Sequence, residues 1–512
     1  MAAAAQLQQN YDVVEYGARR TFIVIGVMLA TLLQVLDITI VNVALPTIQG
    51  SMGANIEEGT WVITGYIIAA VIVIPLTPWL QMRFGRRGYY IAAIIGFTIT
   101  SFLCGISTSF WELVFFRILQ GLCGGGLIAT GQAVLRDTFP PKMLGLSQGL
   151  NALGAIVGPS IGPTLGGILT DALSWNWIFF INLVPGTISA ILLFTFLRNP
   201  GEPRKIPVDA VGLTLLAVGL GSLQFVLNEG ERYEWFSDAR IVGFAIAAGL
   251  GLIAFVWWVL RQPRPIVDLH ILRNRTVAAG CVLAMAIGFS LFGGVVLSPQ
   301  FTQNILHFTA TLSGEMVLVR ALAIAAFTPL ALFLIARKVS PKILLTIGFA
   351  LVAISAAMQA FVTTSQSDFW TFFAAMVIGG IGLSQLFTPL SIAVLSTVSG
   401  WDTPKAAALI SLCQQLGGSI STAVLVTLVD RREAFHQSIL AGQATLSSPA
   451  MHRAIEHHAT LAQLYSLVVQ EATTLAFADG FWLMAAFTVV LTPLVFLLGS
   501  RRARAQAALA AE

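Results

Sequence analysis

Long apolar runs separated by short polar turns dominate this chain. A window of about 19 residues predicts a membrane-spanning helix wherever such a run persists. Fourteen candidate helices follow from the pattern, at 21–45, 59–80, 89–107, 111–133, 144–169, 178–197, 210–228, 240–260, 276–298, 314–336, 342–362, 370–398, 405–428 and 481–499. The sequence therefore predicts an all-α polytopic membrane protein.

The turns between these helices divide the basic residues unevenly. If the N-terminus is cytoplasmic, 21 of the 28 lysines and arginines lie on the cytoplasmic side and 5 on the outer side. Basic loops are typically retained in the cytoplasm. We therefore predict that both termini are cytoplasmic, with residues 1–20 and 501–512 as tails.

Composition excludes several classes of protein. Of 512 residues, 56% are hydrophobic and only 10% are charged, which is too few charges for an ordinary soluble protein. The net charge of +4 arises in short loops, so it indicates topology and no nucleic-acid partner. Neither a phosphate-binding glycine loop nor a catalytic motif occurs, which argues against an enzyme and against ATP as energy source. The cysteines lack metal-ligand spacing, and we expect no metal, disulfide or cofactor.

One carboxylate interrupts the first apolar run. Asp37 lies in the segment 36–46, within the run 21–45. An ionised group at such a place costs on the order of 3 kcal/mol on insertion scales, so an acid there usually faces an internal cavity and serves transport. Asp37 is therefore the leading functional residue. The alternative is a permanent ion pair that only holds two helices together.

Arg117 in the fourth run is the natural partner of this acid. At 1.5 Å per residue, Asp37 lies roughly 12 Å and Arg117 roughly 9 Å below the same outer face, on antiparallel helices. Each charge would offset the other's desolvation. If substrate or a conformational change separates them, the acid takes a proton more readily, which predicts coupling to a proton gradient. The pair is thus our candidate for proton coupling.

Glycines recur in the fifth run at unbroken four-residue spacing. This spacing aligns them on one helix face, where a neighbouring backbone can approach closely. We interpret the stripe as a packing seam that also acts as a hinge or sliding surface, together with an adjacent proline: Gly154, Gly158, Pro159, Gly162 and Gly166.

Uncharged polar side chains also fall within the predicted spans. Some are expected to line a substrate cavity and others to bond between helices, and the sequence does not separate the two groups. The candidates for the cavity are Gln34, Asn42, Gln120, Asn151, Gln385 and Gln414. Arg320, in the tenth run, stands five residues after Glu315, too far round a helix for a good local pair. We expect Arg320 to snorkel outward; the alternative is a partner on another helix.

These motifs together resemble a known family. The segment 36–46, the run Arg117-x-x-Gln120-Gly121, the glycine stripe and the segment 175–182 are similar to those of the fourteen-span drug:H+ antiporters of the major facilitator superfamily, in their EmrB-type branch of multidrug efflux permeases. The resemblance implies a major facilitator fold that works by alternating access and proton-driven efflux. It also implies six-helix bundles at 21–200 and 263–500, separated by a linker and an inserted helix pair at 201–262.

Two details depend on this resemblance. The loop between the second and third spans carries the family's basic residues and its glycine, at Arg83, Gly85, Arg86 and Arg87. It has Met82 where the family usually has Asp, so an acid-based cytoplasmic latch cannot be carried over, and the loop serves gating or topology alone. We expect the inserted pair to be peripheral and lipid-facing, joined by an acidic outer loop that contains Glu229, Glu231, Glu234 and Asp238.

The long outer loop at 430–480 has two interpretations. Its segment 459–477 is expected to form a partly amphipathic helix that lies across the outer mouth and caps it. The resemblance implies instead that the loop docks a periplasmic membrane-fusion adaptor of the EmrA type, which continues to an outer-membrane channel. A metal site is not favoured, because the loop histidines lack a frame of Cys or acidic ligands: His436, His452, His457 and His458.

The sequence thus predicts a proton-coupled exporter of small hydrophobic or cationic drugs, embedded in the lipid of a bacterial inner membrane. Asp37 would act as proton carrier or as substrate counter-ion, and Arg117 would tune it. Two alternatives remain at this point: transport of a single metabolite by the same fold, and a non-transporting membrane assembly subunit. The second alternative would need neither Asp37 nor proton flux.

Overall fold

The computed structural model describes residues 14–140, 143–199, 207–262, 265–398, 402–443 and 460–499, and within them the chain is helical without a β-strand. The long helices, in chain order, are α1 (Gly17–Met52), α2 (Trp61–Phe84), α3 (Arg86–Gly105), α4 (Phe110–Thr138), α5 (Leu144–Ala172), α6 (Trp177–Phe196), α7 (Ala210–Glu229), α8 (Ala239–Arg261), α9 (Arg275–Asn304), α10 (Ala310–Ala336), α11 (Pro341–Val362), α12 (Phe369–Leu395), α13 (Asp402–Gln443) and α14 (Leu461–Leu491).

These helices follow the predicted spans in order. Among the described residues, 13 helices are long and apolar enough to cross a membrane by length and composition. Helix α5 occupies the place of the predicted fifth span. The all-α membrane architecture is confirmed, whereas the count of fourteen spans and the cytoplasmic position of the termini stay predictions. We call the face at which α1 begins the basic face and the other the distal face.

Polar caps fix where several helices begin. The Ser109 side chain accepts a hydrogen bond from the backbone at the start of α4, and Asp209 and Asp368 do the same for α7 and α12. Such caps satisfy backbone N–H groups that have no partner inside the helix. Gly53 adopts φ +66° at the end of α1, a conformation that glycine accepts without strain.

The helices pack as two halves with a pair between them. In the first half α1 packs on α5 and α6, and α2 and α3 pack on α4; in the second, α9 packs on α13, and α10 and α11 pack on α12. Near the basic face the halves meet, where α5 contacts α10 and α12, and α4 contacts α13. Arg136 on α4 also donates a hydrogen bond to the Val398 carbonyl oxygen, at 3.2 Å.

The inserted pair differs from our expectation. Helix α8 packs on α7 and exposes much of its surface, as a peripheral helix would, but α7 packs on α2 of the first half and on α13 of the second. Gln224 of α7 is fully buried and donates a hydrogen bond to the Ser419 hydroxyl oxygen, at 2.6 Å. The expectation of a lipid-facing pair is therefore wrong for α7, because its polar side is covered by both halves.

The two halves repeat one packing arrangement. A methyl group placed on Gly121 of α4 would lie 2.4 Å from the Tyr66 carbonyl oxygen on α2. A methyl group on Gly380 of α12 would lie at the same 2.4 Å from the Arg320 carbonyl oxygen on α10. Arg320 thus stands in the second half where Tyr66 stands in the first. This agreement indicates that α4 and α12 occupy equivalent places in the two halves, as in an internal repeat.

Beyond the distal face, α13 and α14 continue as helices. Helix α13 has 42 residues, and Asp479 of α14 accepts hydrogen bonds from Arg432 at 2.5 Å and from His436 at 2.8 Å. The expectation of a helix lying across the outer mouth is wrong, because residues 461–477 belong to the same continuous helix as the last span. The other three loop histidines, His452, His457 and His458, lie outside the described residues.

Candidate functional site

Asp37 lies in the middle of α1 and is completely buried, with 0% of its surface exposed. Its carboxylate accepts three hydrogen bonds, from Arg117 NH1 at 2.5 Å, Gln120 Nε2 at 3.0 Å and Asn182 Nδ2 at 3.1 Å. Asn182 also donates to the Ser101 hydroxyl oxygen at 3.0 Å. Helices α3, α4 and α6 therefore all contribute to the environment of this one acid.

The Arg117 guanidinium is equally enclosed, with 1% exposure. Besides the bond to Asp37, its Nε donates to the Val62 carbonyl oxygen at 3.0 Å and its NH1 to Gln120 Oε1 at 2.7 Å. Its central carbon lies 4.3 Å from the ring centre of Tyr66 and 5.7 Å from that of Phe179. The charge thus has an ionic, a polar and an aromatic partner.

This pair agrees with the depths expected from the sequence, since the two residues are in direct contact. Breaking such a buried pair by removing one partner typically costs about 3–5 kcal/mol, because the other charge is left uncompensated. Loss of either residue would therefore leave the other without its counter-charge inside an apolar bundle. Gln120, expected to line the cavity, belongs to this network instead.

The glycine stripe of α5 lies against the stretch of α1 that carries Asp37. A methyl group on Gly158 would lie 2.9 Å from the Leu36 nitrogen and from Val35 Cβ, and one on Gly166 would lie 2.8 Å from the Ile40 carbonyl oxygen. Gly154 and Gly162 make the corresponding approaches, with methyl positions 3.2 Å from the Met28 carbonyl oxygen and 2.1 Å from Thr39 Oγ1. The packing seam is therefore a backbone contact with α1. The Pro159 side chain lies outside the described residues.

A large cavity opens between the halves on the distal side of Asp37. It has a volume of about 650 Å³ and draws walls from α1, α2, α7, α9, α10 and α13. Its lining includes Asn42 and the neighbours of Asp37 at positions 38 and 39, but not Asp37 itself. In this conformation Asp37 is enclosed behind the cavity wall and makes no direct contact with the cavity.

The other predicted cavity residues lie in different places. Three line a smaller cavity of about 70 Å³ nearer the basic face: Gln34, Asn151 and Gln414. Three residues line both cavities and so lie between them: Ile38, Phe292 and Gln415. Gln385 lines neither of the two cavities; its Nε2 donates to the Phe327 carbonyl oxygen at 3.5 Å within the second half.

Glu229 is a cavity residue that the sequence reasoning placed in the outer acidic loop. It is the last residue of α7, is 2% exposed and lines the large cavity. Thr64 donates to its Oε1 at 2.8 Å and Arg232 NH1 to its Oε2 at 3.2 Å. Glu229 stands between an apolar run and a polar turn, so its burial could not be predicted from the sequence. The residue is buried because α7 packs on α2.

The basic loop after α2 includes one buried charge. Gly85 adopts φ +77° between α2 and α3, which relieves the turn of side-chain strain. Arg86 is buried, forms an ion pair with Asp137 and donates from Nε to Gln81 Oε1 at 3.1 Å. Arg87 NH2 donates to the Phe194 carbonyl oxygen at 2.5 Å. Arg83 stacks on an aromatic ring, with its guanidinium carbon 5.7 Å from the centre of Trp79.

The ion pair gives this loop an acidic partner that the resemblance did not supply. The family's latch cannot be carried over because Met82 replaces the usual Asp, but Asp137 at the end of α4 provides an acid from another helix. Arg136, which also contacts Asp137 at 3.0 Å, bonds to the second half at Val398. Sequence reasoning missed Asp137 because it stands at a helix end, where a solvated acid is ordinary.

Arg320 is also misplaced by the sequence reasoning. Snorkelling outward is wrong, because the side chain is only 6% exposed and its NH1 occupies the space beside Gly294 of α9. Among the described residues no carboxylate forms an ion pair with it, and Glu315 is exposed. The second half therefore holds a buried arginine in a setting without the acid that the first half provides.

Comparisons with known proteins agree with this architecture. Residues 27–422 match the family described as the Major Facilitator Superfamily. The chain is 34% identical over 494 residues to the multidrug export protein EmrB of Escherichia coli (strain K12), which covers 94% of this chain and 95% of that protein. It is 33% identical over 508 residues to the fatty acid resistance protein FarB of Neisseria gonorrhoeae, which covers 94% and 96%.

Solved structures agree on the fold. The human organic anion transporter MFSD10 (TETRAN) superposes with a TM-score of 0.60 at 14% identity, over 94% of this chain and 100% of that chain. At this identity the likeness supports the fold alone. The sequence matches cover nearly the whole chain and confirm the resemblance on which the sequence analysis relied. The chain therefore belongs to the Major Facilitator Superfamily, within its family of EmrB-type multidrug export proteins, and is a multi-pass membrane transporter of small molecules.

Proposed function

We propose that this protein exports hydrophobic or cationic drugs across a bacterial inner membrane in exchange for protons. The relatives named as multidrug export proteins support the substrate class. The observation that supports proton coupling is the fully buried pair of Asp37 and Arg117, which places an ionisable side chain in the core of the first half. The energy source would be the proton gradient, without a cofactor.

The proposed coupling follows from the cost of an isolated charge. While Arg117 lies beside Asp37, the carboxylate stays ionised because its charge is offset and its oxygens accept hydrogen bonds. If α1 and α4 shift relative to each other, the carboxylate loses its counter-charge in an apolar interior. The protonated form of Asp37 would then have the lower free energy. Binding and release of a proton would thus be linked to the conformation of the first half.

The glycine seam of α5 offers a structural basis for this relative movement of α1. Because α5 contacts the backbone of α1 on both sides of Asp37, a tilt of α5 displaces α1 directly. The halves touch near the basic face while the large cavity opens towards the distal face. If the basic face is cytoplasmic, as the loop charges predict, this is the outward-facing state of an alternating-access cycle.

Dye efflux from proteoliposomes tests the proposal. Purified wild type and Asp37→Asn are reconstituted, and ethidium flux is followed with and without an imposed pH gradient. We expect gradient-dependent flux in the wild type and its loss in the variant, while Asp171→Asn, which removes an exposed acid at the end of α5, keeps it. Full gradient-driven flux in a folded Asp37→Asn protein would show that coupling lies elsewhere.

We also propose that the projecting hairpin of α13 and α14 docks a periplasmic membrane-fusion adaptor that leads to an outer-membrane channel. A helix of 42 residues is roughly 63 Å long, about twice the thickness of a bilayer core. The projecting parts expose Phe435, Ile439 and Leu467, apolar side chains that a partner could cover. Charge-introducing variants of these residues should lose copurification with an adaptor of the EmrA type, while drug binding persists. Unchanged copurification would refute the docking.

A further inference from the structure

The large cavity contains a charge that comes from the inserted helix pair. Glu229 ends α7, the helix that packs on both halves. Glu229 is buried and, with Asn228, is among the residues that line the cavity. The inserted pair is therefore part of the wall that a substrate meets.

The rest of this wall carries no formal charge. Among the described residues that line the cavity, Glu229 has the only ionisable side chain. Its neighbours are apolar residues such as Val296 and Val317 and uncharged polar residues such as Asn42 and Gln303. Glu229 is thus the one formal charge that the described wall presents, and its counter-charge, Arg232 at 3.2 Å, is not among the wall residues.

The carboxylate is held in place but not saturated. Thr64 donates to Oε1 and Arg232 to Oε2, and Arg232 NH1 also donates to Thr60 Oγ1 at 2.8 Å. A carboxylate offers about four lone-pair sites, so two such bonds leave capacity for a ligand. The Arg232 side chain is 21% exposed and pairs with Glu229 at 3.2 Å, so a bound cation would share the carboxylate with this arginine.

We propose that Glu229 selects organic cations in this cavity, and that the inserted pair serves transport by supplying it. The inference rests on the proposed export of drugs and names the charge class that the cavity prefers. Asp37, sealed behind the wall, is thereby free to carry protons while Glu229 faces the substrate. The competing explanation is a purely structural bond that fastens α7 to α2.

Binding of two dyes separates these explanations. Full-length protein in nanodiscs is titrated with ethidium, a permanent cation, and with Nile red, a neutral dye of similar size. Glu229→Gln keeps the shape and the acceptor for Thr64 but removes the charge. We expect about a tenfold loss of ethidium affinity, or 1.4 kcal/mol, with Nile red affinity unchanged within about twofold.

Glu231→Gln is the matched control. It removes a charge two residues away, where the carboxylate accepts a bond from Trp235 Nε1 at 2.6 Å and is not among the residues of the cavity wall. We expect this variant to bind both dyes as the wild type does. Equal losses of both dyes in Glu229→Gln, no loss of ethidium, or a wild type that does not bind ethidium would each overturn the inference. The assay needs no proton gradient, so its outcome is independent of the flux test on Asp37.

Discussion

The buried ion pair predicts a specific pattern of stabilities in a double-mutant cycle. Asp37→Asn leaves the charge of the Arg117 guanidinium, which is 1% exposed, without a counter-charge. Arg117→Met likewise leaves the charge of the Asp37 carboxylate, which is 0% exposed, without a counter-charge. Methionine is a natural choice, since α4 and α12 begin with the same Phe-Trp pair and Met376 corresponds to Arg117 in that alignment. Each single change should cost about 3–5 kcal/mol, the typical penalty for an orphaned buried charge.

The double variant should be more stable than either single variant. With both charges gone, no uncompensated charge remains in the core. Replacement of a buried ion pair by uncharged groups of similar size often leaves the stability unchanged. For the double variant to be more stable than either single variant, the coupling energy must exceed the cost of one single change, about 3–5 kcal/mol. This value lies at or above the upper end of the range of about 0.5–3 kcal/mol usual for residues in contact, as expected for two fully enclosed charges. Proton-driven flux should stay absent in the double variant, since no titratable acid remains there.

Thermal unfolding of the four proteins in lipid-containing micelles measures this cycle, with tryptophan fluorescence as the signal. The expected order of Tm is wild type highest, the double variant next and the two single variants lowest. A double variant that loses as much Tm as the two single variants combined would refute the reasoning. It would mean that Gln120 and Asn182 stabilise each charge separately and that the ion pair itself contributes little.

Three further predictions concern other parts of the molecule. Gly158→Ala should lower gradient-driven flux at least tenfold, because its methyl group would lie 2.9 Å from the α1 backbone, whereas Gly167→Ala, with a nearest atom at 4.0 Å, should leave flux unchanged; equal effects would contradict the seam. Arg320→Met should keep or raise the Tm, since it removes a buried charge without an acidic partner in the described chain; a large fall in Tm would show that the charge is compensated. Partial burial alone would raise the pKa of Asp268, but the hydrogen bond and the charge of Lys405, together with hydrogen bonds from His270, lower it below its usual value. The contribution of Asp268 to stability is therefore complete at neutral pH and is lost as the pH falls through the lowered pKa. Asp268→Asn should therefore lower the Tm at pH 7 and flatten the dependence of Tm on acid pH, and an unchanged Tm profile would contradict this.

The sequence alone determined what depends on position along a helix. Apolar runs located the helices, and the rise of 1.5 Å per residue placed Asp37 and Arg117 at one depth, where the structure has them in contact. The four-residue glycine period identified the face of α5 that approaches another backbone, because helical geometry sets which residues share a face. In these cases the deciding quantity is local and can be read from spacing.

Only the tertiary structure decided which helix covers which face. Glu229 and Arg320 stand at positions where a solvated or snorkelling side chain is ordinary, and both are buried because neighbouring helices close over them. Asp137 of α4 pairs with Arg86 of α3, so no local sequence motif predicts the contact. Spacing gives the depth of a residue and its angle around its own helix, but not the neighbour at that angle. That neighbour is set by how α7, α9 and α12 pack against the rest, since burial depends on surfaces far apart in the chain.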